Sequence, residues 1–141
     1  MNNGAHVLVV SRDQTLLQTR TLILGAFFQV EAAGRALEAE AMLSRRAFDL
    51  VILCYSLTED DCRKLVGQAR QQDPRPKILA LSAPGASGCA AGADAHLILE
   101  NGPYALLKKS AEMLGVDLKE KTKKRADRSG LPLQPAERPL D

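Results

Sequence analysis

The chain predicts an α/β protein, a three-layer sandwich in which helices cover both faces of a parallel sheet. Short apolar runs alternate with helical patterns from one end of the chain to about residue 114. The run Leu50–Tyr55 is apolar throughout, as in a strand covered on both faces, whereas a half-exposed strand would alternate. The segments between such runs have the length and periodicity of helical crossovers, which join parallel neighbours.

Each element has its own grounds. Val7–Val10 is a β-branched run, and Asp13 is placed to cap the helix after it. In that helix Leu16, Leu17, Ile23 and Leu24 form one broad apolar stripe, and Gly25 ends it. Phe28–Ala32 is a second strand, and Gly34 turns the chain into Arg35–Arg46, rich in the helix formers Ala, Leu and Glu. After the central strand, Thr58 and Asp61 make a capping-box pattern, followed by the stripe Cys62, Leu65, Val66 and Ala69. Asp73-Pro74-Arg75-Pro76 is a turn, and Ile78–Leu81 and His96–Leu99 are the fourth and fifth strands. A last helix, about Pro103–Leu114, buries Leu106, Leu107, Ala111 and Met113 or Leu114.

Composition narrows the class. A chain of 141 residues holds one full core and not two. No apolar run approaches the roughly 18 residues of a membrane span, and the N-terminus has no basic region followed by an apolar stretch. Cys54, Cys62 and Cys89 lack metal-ligand spacing and fit reduced thiols better than a disulfide framework, which points to a cytoplasmic protein. The net charge of +2 comes entirely from residues 115–141; residues 1–114 are balanced. A domain over 5–114 is therefore expected, then a basic and Pro-containing tail over 115–141 whose composition is that of a disordered segment.

Certain positions carry a family resemblance. Val7-Leu8-Val9-Val10 runs into Ser11, Arg12 and Asp13; Phe48–Leu53 is closed by Cys54; Ser82 follows the fourth strand; Gly92-Ala93-Asp94-Ala95-His96-Leu97-Ile98-Leu99 holds the fifth. This frame resembles the receiver domain of two-component response regulators over roughly residues 5–114. The resemblance implies a flavodoxin-like sheet in the order 2-1-3-4-5. It also implies what should stand at the strand ends: an acidic pair holding a divalent metal, an aspartate accepting a phosphoryl group, a hydroxyl and a lysine. Here Ser11 and Arg12 stand at the acidic pair, Cys54 at the acceptor and Leu99 at the lysine; only Asp13 and Ser82 match, and His96 replaces the aromatic at the switch position. A hard cation wants carboxylate oxygens, so the set implies no metal and no cofactor. The expectation is a pseudo-receiver, not an enzyme. The linker between strands four and five, Ala83–Gly92, is about five residues short for the family, or about 1.4 helical turns, and rich in Gly and Pro. Its helix, the fourth of a receiver, is expected shortened or lost.

Other residues have competing readings. Glu59, Asp60 and Asp61 suit a helix N-terminus better than a metal cluster, and Asp49 reads as structural. Cys54, at the crevice edge of the sheet and with Arg12 nearby, is either a buried filler or a redox-sensing thiolate. Lys119, Lys121, Lys123, Lys124 and Arg125 offer a polyanion contact, but no aromatic is interleaved for base stacking. His6 and His96 have no ligand spacing. The functional expectation is a phosphorylation-independent module that docks to another signalling or regulatory protein or to itself as a homodimer. A redox sensor through Cys54 and a nucleic-acid adaptor through the tail are the alternatives.

Overall fold

A computed structural model describes residues 4–83, 92–98 and 103–118. The elements follow in the order β1 (His6–Val10), α1 (Gln14–Gly25), β2 (Gln29–Ala33), α2 (Ala36–Arg45), β3 (Leu50–Leu53), α3 (Glu59–Arg70), β4 (Lys77–Ser82), β5 (Ala95–Ile98) and α4 (Pro103–Leu114). All strands are parallel, in one sheet ordered β2-β1-β3-β4-β5. This is the flavodoxin-like order expected. The helix α4 follows β5, so it stands where a full receiver has its fifth helix; residues 84–91, on which the expectation of a shortened fourth helix falls, lie outside the described residues.

Strand alternation sorts the core into two layers. Leu8, Val10, Val51, Leu53, Ile78 and Ala80 face α2 and α3, against Leu43, Leu65 and Ala69. Val7, Val9, Leu50, Ile52, Leu79 and Leu81 face α1 and α4, against Leu17, Leu24, Leu106 and Leu107. Burial on both sides is why the central strands read as unbroken apolar runs. Val116 and Leu118, just past α4, extend the second layer.

Local chemistry fixes the element ends. The Asp13 carboxylate accepts from Leu16 N–H at 3.1 Å and caps α1. Thr58 and Asp61 exchange side-chain and backbone hydrogen bonds at the start of α3, the expected capping box. Asp49 is structural, as expected: its carboxylate accepts from His6 N–H at 2.8 Å and its carbonyl from Lys77 N–H at 3.1 Å, tying β1, β3 and β4 at their N-terminal ends. A Cβ on Gly92 would lie 2.8 Å from Val66 Cγ1, and its φ of +85° favours glycine, so this residue lets the chain enter β5 close over α3.

Two expectations are corrected. In α1 the buried face is Leu17, Arg20 and Leu24, while Leu16 and Ile23 are half-buried; an arginine sits at the centre of the stripe. Cys62 is disulfide-bonded and not a reduced thiol. Spacing along a sequence does not reveal which sulfurs a fold brings together.

Candidate functional site at the C-terminal edge of the sheet

Ser11 and Cys54 follow β1 and β3, and Ser82 ends β4. These strands are parallel neighbours, so the three residues gather along one edge, where open α/β sheets form their crevice. Ser11 is fully buried; its Oγ accepts from Asp13 N–H at 3.2 Å and lies 3.2 Å from Ser56 Oγ. Ser56 Oγ also accepts from Arg12 N–H at 2.9 Å. The loop after β1 and the loop after β3 are thereby joined through one hydroxyl. Ser82 is half-buried, in register with Ile98, and His96 is exposed on β5 in register with Ala80.

Arg12 does not flank Cys54. Its backbone is held by Ser56 while its side chain turns outward, with Nη1 4.0 Å from Asp61 Oδ2 in the first turn of α3. The cation beside Cys54 is Arg20, which sequence reasoning missed. Its position was a usable signal, because residues 17, 20 and 24 fall on one helical face. Arg20 is 6% exposed and its guanidinium carbon lies 5.7 Å from the centroid of the Tyr55 ring, a cation–π arrangement. Its Nη1 is buried with no hydrogen-bond partner, and among the described residues no carboxylate forms an ion pair with it.

Cys54 is 0% exposed, and its N–H donates to Val10 O at 3.1 Å. Burial pushes its thiol up from the ordinary value of 9.0; the charge of Arg20 and hydrogen bonding from Arg20 and Ser11 pull the other way, and Asp13 adds to the rise. A reactive thiolate needs exposure and a lowered pKa, and Cys54 has neither. The expectation of Arg12 as its activating neighbour is corrected to a buried, protonated thiol beneath Arg20.

The donor set does not fit the divalent metal of the family. Ser11 is engaged with its own loop, Arg12 is a cation, the Asp13 carboxylate is committed to the α1 cap, and the thiol at 54 is a soft donor holding its proton. Asp61 serves the α3 capping box, and Asp60 pairs with Arg63 at 2.5 Å. Leu99 and the basic positions Lys119, Lys121, Lys123, Lys124 and Arg125 lie outside the described residues.

The fold and this edge define a class: the chain carries the receiver-domain fold of two-component response regulators. Among solved structures it is similar to a CheY-like response regulator receiver domain from Methanospirillum hungatei, with a TM-score of 0.67 and 25% identity over 86% of this chain and 99% of that one. It is likewise similar to the chemotaxis protein CheY4 of Vibrio cholerae, with a TM-score of 0.65 and 25% identity over 79% of this chain and 100% of the other. Among curated proteins, the alginate biosynthesis transcriptional regulatory protein AlgB of Pseudomonas putida is 30% identical over 121 residues, 82% of this chain and 27% of that protein. The chain thus spans about a quarter of the length of the curated relatives it matches. No protein-family model matches it.

Proposed function

We propose that the chain is a phosphorylation-independent protein-interaction module of a bacterial signalling or regulatory pathway, acting as a binding partner and not as an enzyme. One observation carries this reading: where a receiver's acceptor carboxylate stands, this chain has a buried, protonated thiol beneath a guanidinium. Phosphoryl transfer needs an accessible nucleophile and a cation bridging the transferred charge. The carboxylate of Asp13, next along the loop, is held by the α1 cap. A module without that chemistry works by its surface, toward another regulatory protein or a second copy. Ile98 and Tyr104 are large hydrophobic side chains exposed on β5 and α4, beside the switch position His96 or on the helix that follows it, and offer apolar surface to a partner.

The test is incubation of the full chain with acetyl phosphate and Mg²⁺, read by intact mass. The expected result is an unmodified protein. A mass increase of one phosphate, mapped to residues 11–13 or to Cys54, overturns the reading.

A further inference from the structure

Helix α1 has an unusual outer face. Its exposed residues are Gln14, Thr15, Gln18, Thr19, Leu22 and Gly25, none of them charged, and its one charged residue, Arg20, points inward. Surface helices ordinarily carry charge on the solvent side, and depletion of charge marks the core of protein interfaces. Leu22 on this face is 78% exposed, and Leu37 on α2 is 73% exposed. Between α1 and the end of β2 lies an open cleft of about 560 Å³, lined by residues that include Leu17, Thr21, Leu22, Ala32 and Glu38.

The strand between these helices is also unfinished. Among the described residues β2 is the outermost strand on its side and pairs only with β1. Gln29 N–H donates to Ala5 O, and Ala33 O accepts from Ser11 N–H, so the odd-numbered residues of β2 turn their peptide groups toward β1. Val30 and Ala32 therefore turn theirs to the open edge. Such an edge is a template for another strand.

We propose that this edge pairs with a second copy of the chain, β2 against β2 and antiparallel about a two-fold axis normal to the sheet. That symmetry brings α1 against the partner's α1 on one face and α2 against the partner's α2 on the other. A two-fold interface sets a surface against itself. The uncharged face of α1 meets its copy without like-charge repulsion, Leu22 and Leu37 flank the joined strands, and Glu31, which this register sets opposite its own copy, has its charge offset by Arg46 at 2.6 Å. A five-residue strand is about 16 Å long, and helix, sheet and helix together are about 30 Å thick, so each copy buries on the order of 500 Å². The total of about 1,000 Å² sits at the lower bound of specific interfaces, which fits a weak, exchanging dimer to be sought over about 10–100 µM of chain. The proposal rests on the reading that the module acts by contact, and names a surface for it.

Sedimentation velocity of the full chain across that concentration range tests it. The expected result is a reversible monomer–dimer equilibrium that Leu22→Asp weakens about tenfold or more. Leu22 is exposed, so the substitution leaves the core intact. A mixture of Leu22→Asp and Leu22→Lys should associate more tightly than either alone, because the two-fold sets the α1 face of one copy against that of the other and opposite charges then face each other. A chain monomeric throughout the range overturns the proposal, as does a dimer indifferent to Leu22 or one weakened by Leu22→Asp without rescue in the mixture. A dimer lost on Tyr104→Asp instead assigns self-association to the β5–α4 face. None of these outcomes bears on the phosphodonor experiment, which tests the broader reading separately.

Discussion

Replacing Cys54 by aspartate puts a carboxylate beside the buried guanidinium of Arg20, and the structure makes the outcome calculable in direction. An unpaired carboxylate at this depth costs several kcal/mol, but Arg20 is already there and lacks a carboxylate partner among the described residues. The net change for Cys54→Asp alone is expected within about 2 kcal/mol of the wild type. In an Arg20→Met background the same substitution strands the carboxylate and should cost about 3–5 kcal/mol. The coupling between the two sites is then about 3 kcal/mol, which at a urea m-value of about 1–3 kcal/mol/M appears as a midpoint difference of about 1–3 M. The pH dependence differs in sign between the two backgrounds. Beside Arg20 the carboxyl is held below its unfolded value of about 3.9, so its stabilisation is present above that value and lost as pH falls through the folded one. In the Arg20→Met background its pKa is raised, and stability falls as pH rises from the unfolded value through the folded one. Urea titrations of the four variants between about pH 3 and 8 decide the matter, and a coupling below about 0.5 kcal/mol would refute the placement of Arg20. The aspartate variant should also remain unphosphorylated with acetyl phosphate and Mg²⁺, since Ser11 and Arg12 still offer no carboxylate; efficient phosphorylation would show that those groups matter less than argued.

Cys54 in the native protein should react with iodoacetamide at least about a hundredfold more slowly than a free thiol at pH 8, and at the ordinary rate in denaturant; equal rates would mean the thiol is open. Because its pKa is raised on folding, its contribution to stability is fully present below the unfolded value of 9.0 and lost as pH rises through the folded one, so urea midpoints should decline in alkali and decline less in Cys54→Ala. Thr58→Ala removes the α3 cap and should cost about 1 kcal/mol in a urea titration, whereas no change would mean that Asp61 alone caps the helix. Truncation after Leu118 keeps Val116 and Leu118 on the core and should shift Tm by no more than a few degrees; a loss of many degrees would make residues 119–141 part of the folded body.

Local signals in the sequence were enough for the scaffold. Strand runs, caps and glycines act within a few residues, so Asp13, the Thr58–Asp61 box and the Cys62–Ala69 stripe were readable in place, with boundaries off by one residue where β2 and β4 begin and by two where β3 ends. The strand order came from the receiver resemblance and is the order observed. Tertiary chemistry was less legible. Nearness in sequence suggested Arg12 as the neighbour of Cys54, but a loop arginine is free to turn to solvent and Asp61, while a helical one seven residues after Asp13 is carried inward with Leu17 and Leu24. The bond of Cys62 had no local signature at all.

Ser56 gives the site edge a different character from a ligand pocket. Its hydroxyl meets Ser11 Oγ and Arg12 N–H, so the loops after β1 and β3 are sewn directly to each other. Parting that seam forfeits two hydrogen bonds, about 1–3 kcal/mol, which leaves the parted form at no more than roughly a sixth of the population. A partner preferring that form must supply the difference from its own binding energy. One that accepts the closed seam meets a surface already in its final shape and loses little conformational entropy there on docking. The edge that in a switching domain would report an event here presents a standing shape, legible to a partner at any moment.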